Sequence, residues 1–149
     1  MHPNEKLIRD FYAAQGRFYA GEGDAAAVAA LLTDDIAWHV PGRNAIAGDY
    51  RGVDEVLGYF ARRRDLARGS FRVEIRHTLA DDELVMQLAG GRAEIDGEQR
   101  EWETVGVYRI TDGLIAECWL VPFDQHAFDE IWSPAACSGS VPPRQPRTL

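Results

Sequence analysis

Two Asp-Gly dipeptides, at 96–97 and 112–113, constrain the fold of this chain more than any other feature of its sequence. Asp-Gly readily adopts the positive backbone angles of a two-residue hairpin turn, and each dipeptide here lies between stretches rich in strand-forming residues. The pair therefore predicts an antiparallel meander in which three strands follow one another directly. The strands are expected at 84–95, 100–111 and 114–122.

Glycines within the predicted strands indicate that the sheet is strongly curved. Gly90, Gly91 and Gly106 would weaken a straight strand, and they are expected where a sheet bends or where another group approaches its backbone. Apolar and polar residues also alternate over 71–79, which predicts a half-buried strand before the meander.

Helical periodicity before the sheet predicts three helices. Asn4 is expected to cap the first, which ends at the glycine-rich segment 21–23. Asp24 is expected to cap a short alanine-rich helix that reaches Leu32, and a third helix begins at Val53. The order predicts an α+β fold in which three N-terminal helices pack on one strongly curved antiparallel sheet. Such a sheet leaves a hollow between itself and the helices.

Composition sets the domain organisation. The chain has 149 residues, of which 46% are hydrophobic, which suits one domain with a single core. We expect this domain to span residues 1–132. Residues 133–149 contain four prolines and several small residues, and they are expected to form a mobile C-terminal tail.

Charge and motif content argue against several classes of function. A net charge of −8 disfavours nucleic-acid binding, which needs a concentrated basic face. The dense basic run 62–64 is expected to be a solvated helix face rather than an anion site. No segment has the ~20 apolar residues of a membrane span and no signal peptide is evident, so no membrane partner and a cytoplasmic location are expected. The histidines lack metal-ligand spacing and no glycine-rich phosphate loop occurs, so we expect neither a metal nor a cofactor.

The segment 38–52 joins the first strand to the third helix. The strand, expected at 35–40, stops at Pro41-Gly42, because proline lacks a backbone donor and glycine admits unusual backbone angles. A loop rich in glycine and polar side chains follows and ends at Gly52. Loops held between a strand end and a helix start commonly present side chains to a ligand.

The same segment resembles a known family. The sequences WHVPG at 38–42 and AGDYRG at 47–52, together with 112–119 and 123–132, are similar to the SnoaL-like branch of the nuclear transport factor two-like superfamily. This superfamily includes ketosteroid isomerase and polyketide cyclases. The resemblance extends over about residues 4–132 and implies a cystatin-like roll with a conical pocket that takes a small molecule.

The catalytic sets known in this superfamily are incomplete in this chain. The positions that match the proton-transfer groups of ketosteroid isomerase hold Val40, Gly16 and Gly106, none of which titrates. Arg92-Ala93-Glu94 resembles the Arg-x-Asp pair of limonene epoxide hydrolase, but Leu120 stands where that enzyme has an aspartate. The arginine and glutamate fit an exposed ion pair equally well.

His39, Asp124 and Tyr108 are the candidate catalytic residues. His39 titrates near neutrality at the end of the first strand, although the same position suits a histidine that bonds a loop carbonyl. Asp124 precedes the closing helix 126–132 and fits a helix N-cap as well as it fits an acid. Tyr108 is a candidate phenolic donor.

Side chains along a strand alternate between its two faces, so one face selects the residues that should line the pocket. The inward face is assigned by analogy to ketosteroid isomerase. Asn44 and Tyr50 are expected to orient a polar end of the ligand, although Asn44 also suits a purely local role in its loop. The tryptophans fit a hydrophobic core as well as a ligand site. The expected ligand-binding residues are Tyr12, Trp38, Val40, Asn44, Tyr50, Trp102, Gly106, Cys118 and Leu120.

Two functions remain open from the sequence. The first is a cofactor-independent acid/base enzyme of the isomerase, cyclase or hydratase type, acting on a small apolar or polycyclic compound. The second is a non-catalytic protein of the same fold that binds a hydrophobic ligand or serves as a dimerisation module. Under both, apolar residues on the outer sheet face predict a homodimer through that face. These residues are Val105, Val107, Trp119 and Val121.

Overall fold

A computed structural model describes residues 1–134 of the chain. In chain order its elements are α1 (Pro3–Tyr19), α2 (Ala25–Ala29), β1 (Leu32–Val40), β2 (Gly48–Arg51), α3 (Val53–Leu66), β3 (Arg72–Ala80), β4 (Leu84–Ile95), β5 (Glu98–Thr111), β6 (Leu114–Pro122) and α4 (Gln125–Ile131). The strands form one sheet in the order β2-β1-β6-β5-β4-β3, and the helices pack against it. The predicted α+β class is confirmed. All but the first two residues of the predicted C-terminal tail lie outside the described residues.

Both Asp-Gly dipeptides form the predicted hairpin turns. Asp96 and Gly97 have φ values of 55° and 79°, and Asp112 and Gly113 have φ values of 51° and 76°. Two consecutive residues with positive φ match the twist of the strands on either side, which is why this turn suits a hairpin. The strands β4, β5 and β6 consequently pair as an antiparallel meander.

The sheet differs from the expected one at β1. This strand pairs with β6 in parallel, with Trp38 opposite Cys118, so the sheet is mixed rather than purely antiparallel. Part of the loop after Pro41 also forms a strand, because β2 pairs antiparallel with β1 and places Tyr50 opposite Trp38. Residue alternation is the same in parallel and antiparallel strands, and it therefore could not predict the direction of pairing.

Two helix ends also differ from the prediction. The cap of α1 is His2, whose Nδ1 accepts a hydrogen bond of 3.0 Å from the backbone N–H of Asn4. Pro3 starts the helix because its fixed φ suits the first helical position. The short α2 is capped by Asp24 as expected, but it ends at Ala29 because Leu32 already belongs to β1.

A register shift in β3 overturns the expected alternation over 71–79. The predicted strand placed Phe71, Val73, Ile75, His77 and Leu79 on one face. In the structure the pairing with β4 slips between Ile75 and His77, so the last two residues turn to the opposite face. As a result Leu79 is 73% exposed while Phe71 is 4% exposed. A single extra residue in one strand reverses the facing of everything after it.

The core lies between the helices and the inner face of the sheet. Its largest fully buried members include Phe11 of α1, Tyr59 and Phe60 of α3, Tyr108 of β5 and Trp132 just after α4. Within residues 1–134, no helix is both long and apolar enough to cross a membrane.

Candidate functional site

A small, partly open chamber lies between the helices and the inner face of the sheet. Its volume is about 30 Å³. A chamber of this size holds on the order of one or two water molecules, or one small chemical group. The lining residues are Tyr12 and Gln15 of α1, Trp38 of β1, Arg63 of α3, Phe71 and Val73 near and in β3, Ala89, Gly90 and Gly91 of β4, Trp102, Thr104 and Tyr108 of β5, Leu120 of β6, and Phe128 and Trp132 at α4.

The strand glycine Gly91 makes room for an aromatic wall of the chamber. A β-carbon on Gly91 would overlap the indole of Trp102, which lies directly opposite it on β5. Trp102 in turn packs edge-on against Trp132, with ring centroids 5.2 Å apart. The predicted close approach at Gly91 is therefore an approach by a side chain of the same protein, and the two indoles occupy part of the hollow.

The corner at Pro41-Gly42 is tied to α4, which closes one end of the chamber. The backbone of Gly42 leaves no space for a β-carbon, because Asp129 and Gln125 of α4 pack against it. Gln125 donates a hydrogen bond from Nε2 to the carbonyl of Pro41 at 3.3 Å. This tie holds α4, which presents Phe128 to the chamber, together with Trp132 directly after the helix.

Two tyrosine hydroxyls meet at the chamber. The hydroxyl oxygens of Tyr12 and Tyr108 are 2.5 Å apart. Burial raises the pKa of Tyr12 and of Tyr108 above the ordinary value of a phenol. Both are therefore protonated near neutral pH, and only one of their two protons is needed for the bond between them. The second proton is available to an acceptor in the chamber.

His39 lies on the opposite face of the sheet from the chamber. Its Nδ1 is 2.6 Å from Oδ1 of Asp49, and its Nε2 is 2.7 Å from Oε2 of Glu117. The imidazole also stacks on Trp119, with ring centroids 5.7 Å apart. The side chain links β1 to β2 and β6, and strand geometry separates it from the tyrosine pair.

The carboxylate contacts of His39 predict a pH-dependent contribution to stability. Partial burial lowers the pKa of His39, but hydrogen bonds to Asp49 and Glu117 outweigh it and hold the pKa above its ordinary value. The hydrogen bond with His39 lowers the pKa of Glu117. His39 thus stabilises the fold fully below about pH 6.5, and this contribution is lost as pH rises through its raised pKa. We expect it to amount to about 1 kcal/mol or less.

The measurement is urea unfolding of wild-type protein and His39→Gln between pH 5 and pH 9. The difference in unfolding free energy should be largest near pH 5 to 6.5, where His39 is charged and Glu117 is ionised, and should shrink toward pH 9. His126→Gln is the matched control, because the His126 side chain is 88% exposed. A difference that grows with pH would contradict the role assigned to His39.

Asp124 is placed outside the chamber as well. It is exposed and caps α4, accepting a hydrogen bond of 3.0 Å from the backbone N–H of Ala127. Of the three candidate catalytic residues, Tyr108 alone lines the chamber. The structure therefore does not bring His39, Asp124 and Tyr108 together.

The expected ligand-binding residues divide into two groups. Tyr12, Trp38, Trp102 and Leu120 line the chamber. The remaining five are held in the surrounding structure and do not line it. These are Val40, Asn44, Tyr50, Gly106 and Cys118.

Contacts within the protein account for Asn44 and Tyr50, which do not line the chamber. Asn44 donates from Nδ2 to Asp129 at 2.7 Å and accepts from the backbone N–H of Ile46. The Tyr50 hydroxyl donates to the carbonyl of Ile46 at 2.6 Å. Tyr50 thus holds its own loop, and Asn44 holds this loop and ties it to α4. A structural role was the alternative that the sequence left open for Asn44.

Gly106 and Cys118 lie behind the ring of Tyr108. A β-carbon on Gly106 would come within 2.8 Å of that ring. Cys118 is fully buried, and burial raises the pKa of its thiol well above the ordinary value. The thiol is therefore protonated near neutral pH and is not poised as a nucleophile.

Arg63 is the main site residue that the sequence did not reveal. The basic run 62–64 was expected to lie on a solvated helix face, and for Arg63 this prediction is wrong. The residue is only 7% exposed and lines the chamber. A signal was present, because Val56, Tyr59, Phe60 and Arg63 follow the i, i+3, i+4, i+7 spacing of one helix face. Each of these four residues is buried in α3.

The resemblance to the Arg-x-Asp pair leads away from the chamber. Arg92 and Glu94 are exposed on the outer face of β4, and Ala93 between them is 2% exposed. Among residues 1–134, no three histidine, cysteine, aspartate or glutamate side chains are grouped to hold a metal ion.

Known proteins resemble this chain both in sequence and in fold. A family model described as SnoaL-like domain matches residues 8–118. An uncharacterized protein of Mycobacterium tuberculosis is 32% identical over 111 residues, covering 70% of this chain and 81% of that protein. The structure of Bal32a, from a soil-derived mobile gene cassette, superposes with a TM-score of 0.80 at 27% identity, covering 87% of this chain and 96% of Bal32a. An NTF2-like protein from Burkholderia pseudomallei superposes with a TM-score of 0.75 at 20% identity, covering 89% and 98% of the two chains.

Proposed function

The chain belongs to the SnoaL-like domain family and has the NTF2-like fold, and on this basis we propose that its chamber binds a small, largely apolar molecule through an acceptor oxygen. The observation that carries this proposal is a surplus of donors in the chamber wall. Within residues 1–134, the indole N–H groups of Trp38 and Trp132 are buried without a hydrogen-bond partner. An unpaired buried donor costs about 1–3 kcal/mol, so a ligand oxygen that accepts from one of them gains affinity.

The tyrosine pair supports the same proposal. Tyr12 and Tyr108 hold one proton that neither needs for their mutual bond, and aromatic rings surround them. A carbonyl oxygen in the chamber would accept that proton in a hydrogen bond. The small volume selects a compact ligand, and a polycyclic compound fits only if the rings of Trp102 and Trp132 move.

Carbonyl binding is tested with isosteric pairs in an NMR titration of labelled protein. Acetone should bind more tightly than isobutene, which has the same shape without an acceptor. Tyr108→Phe should weaken acetone binding about three- to tenfold, the value of one hydrogen bond, and should leave isobutene unchanged. Cyclopentanone and methylenecyclopentane form a larger pair that reports whether the chamber opens.

The matched control for this titration is Tyr50→Phe. This substitution also removes one tyrosine hydroxyl, but that hydroxyl bonds the protein's own loop outside the chamber. Equal binding of acetone and isobutene to wild-type protein, or equal effects of the two phenylalanine variants, would overturn carbonyl binding.

Catalysis of the isomerase, cyclase or hydratase type is a second candidate function, favoured by the pairing of the Tyr12 and Tyr108 hydroxyls at the chamber. A phenol that donates to a carbonyl oxygen also stabilises the negative charge that develops there in enolisation. The described lining contains no carboxylate and no imidazole. Turnover of a ketone that falls in Tyr108→Phe but not in His39→Gln would support catalysis at the tyrosine pair. Turnover lost only in His39→Gln would refute a catalytic role of that pair.

A homodimer through the outer sheet face is proposed as the assembly of this protein. Met86, Val107 and Trp119 are cross-strand neighbours on that face, as are Val105 and Val121. Trp119 is 36% exposed and Val121 is 48% exposed, so the patch leaves apolar area in water. A second copy can cover it by presenting the same face, as in most two-fold dimers.

Val121→Lys is expected to convert the dimer to a monomer at micromolar concentration in sedimentation velocity. The reason is that the added charge would be buried against the partner copy. Gln99→Lys adds the same charge at an exposed position near the 96–97 hairpin and should leave the dimer intact. A wild-type protein that sediments only as a monomer would refute this assembly.

A further inference from the structure

A buried arginine gives the chamber a positive charge. The guanidinium carbon of Arg63 lies 4.6 Å from the ring centroid of Tyr59 and 4.7 Å from that of Phe71. The rings of Phe60 and Tyr19 are 5.4 Å and 5.6 Å away. The charge is thus enclosed by aromatic rings and, at 7% exposure, is largely removed from water.

The charge of Arg63 has no counter-ion within the part of the chain that the structure describes. No carboxylate of residues 1–134 forms an ion pair with it, and its Nε has no hydrogen-bond partner. Ring faces attract a cation, but they compensate the loss of hydration less fully than an anion does. Buried charges in proteins are normally paired, so an unpaired one facing a cavity points to a ligand.

The fully buried polar atoms of the lining that lack a partner are all donors, whereas Gln15 and Thr104 also line the chamber with side chains that both donate and accept. Besides Arg63, the lining residues with an unpaired buried polar atom are Trp38 and Trp132, and each offers an N–H. Among residues 1–134, no aspartate or glutamate lines the chamber. An incoming group therefore meets the positive charge of Arg63 and no negative charge from the described lining, which favours an anion over a neutral molecule.

The field of Arg63 reaches the tyrosine pair. Burial raises the pKa of Tyr12 and of Tyr108, and the positive charge of Arg63 acts on both in the opposite direction. Burial also opposes the charge of Arg63 itself, but the neighbouring Tyr19 and Tyr59 hold its pKa above the ordinary value. Arg63 therefore remains charged, and the same field that favours a phenolate favours a bound anion.

We propose that the ligand of the chamber is a small carboxylate, with Arg63 as its counter-charge and the Tyr12–Tyr108 pair and the indole N–H groups as hydrogen-bond donors. This deepens the proposed function, on which it rests, by naming the chemical class of the ligand. The volume of about 30 Å³ suits a carboxylate group with a very short apolar part. The protein as a whole carries a charge of −8, so anion binding must come from this local site.

The test compares acetate with acetamide, which share size and shape but differ in charge. Binding is followed by NMR titration of labelled full-length protein at fixed ionic strength, with chloride kept low because it is itself a small anion. We expect acetate to bind at least tenfold more tightly than acetamide. The Nε–H signal of Arg63 should shift with acetate and not with acetamide.

Substitutions at two neighbouring arginines of α3 test whether the charge of Arg63 causes the preference for acetate. Arg63→Met keeps an unbranched apolar chain in place of the guanidinium stem and should bring acetate down to the affinity of acetamide. Arg62→Met removes the same charge from the neighbouring exposed position and should leave the preference unchanged. Arg63→Lys keeps the charge without the planar fork and should retain part of the preference.

Each outcome decides between the two proposals. Equal affinities of acetate and acetamide, with both weakened by Tyr108→Phe, refute the carboxylate and leave the proposed function standing. Failure of both compounds and of acetone to bind refutes both proposals. A preference for acetate that survives in Arg63→Met places the anion elsewhere. If Arg63→Met does not fold, the wild-type preference and the Arg63 signal decide the question.

Discussion

Gly42→Ala is expected to lower the unfolding free energy by about 2–4 kcal/mol, combining backbone strain with overpacking. Gly42 has a φ of 104°, where a side chain is strained whatever the space around it. An added methyl would also displace Asp129, whose Oδ1 accepts from the backbone N–H of Arg43 and from Nδ2 of Asn44. The substitution thus breaks the joint between the loop and α4. Urea unfolding followed by circular dichroism measures the loss.

Alanine substitutions at two other glycines distinguish the cost of backbone strain from the cost of steric overlap. Gly97 also has a positive φ, of 79°, but nothing lies within 4 Å of an added β-carbon, so Gly97→Ala should cost only about 1 kcal/mol. Gly58 lies inside α3 with free space around it, so Gly58→Ala should stabilise the protein by about 0.5–1 kcal/mol. If Gly42→Ala costs no more than Gly97→Ala, the packing of α4 on the corner contributes nothing.

Phe11→Ala is expected to lower the unfolding free energy by about 3–5 kcal/mol. Phe11 is fully buried at the centre of an aromatic cluster, with its ring centroid 5.6 Å from that of Trp38 and 5.9 Å from that of Phe60. Its ring also lies 6.4 Å from that of Tyr108, so the void would open beside the chamber. The same unfolding experiment measures the effect.

Leu79→Ala is the surface control for Phe11→Ala. Leu79 is 73% exposed after the register shift in β3, so its truncation should change stability by less than about 0.5 kcal/mol. Comparable losses in the two variants would mean that Leu79 is buried, which would contradict the shifted register. A loss below about 1 kcal/mol in Phe11→Ala would contradict the central place of its ring in the core.

The two ligand proposals make different demands on the same chamber. Carbonyl binding needs only the proton that the tyrosine pair leaves free, whereas carboxylate binding needs the charge of Arg63. Turnover would need a proton acceptor as well, and the described lining supplies none. Binding is therefore the function that the side chains in place support most directly.

Local sequence predicted most of the elements. The Asp-Gly turns, the meander and the Asp24 and Asp124 caps depend on a few adjacent residues, whose backbone preferences suffice to place them. The resemblance carried by the segment 38–52 correctly indicated the SnoaL-like family. The inward facing of Trp102, Tyr108 and Leu120 also agrees with the expected alternation.

Other features depended on contacts between distant parts of the chain. A register shift against β4 turned Leu79 outward, and pairing with β6 made β1 a parallel strand. The position of His39 between Asp49 and Glu117 requires three strands to meet. Neither residue type nor spacing specifies such partners, because many registers satisfy the same alternation.

The sequence by itself determined the two hairpins, the meander and the Asp24 and Asp124 caps, because each is set by interactions among residues close in the chain. The size of the chamber was decided only by tertiary structure, where Trp102 and Trp132 fill space that the curved sheet leaves open. Tertiary structure also decided that Arg63 faces this space without a carboxylate among residues 1–134. Packing and charge pairing join side chains that are remote in sequence, and they are settled when the whole core closes.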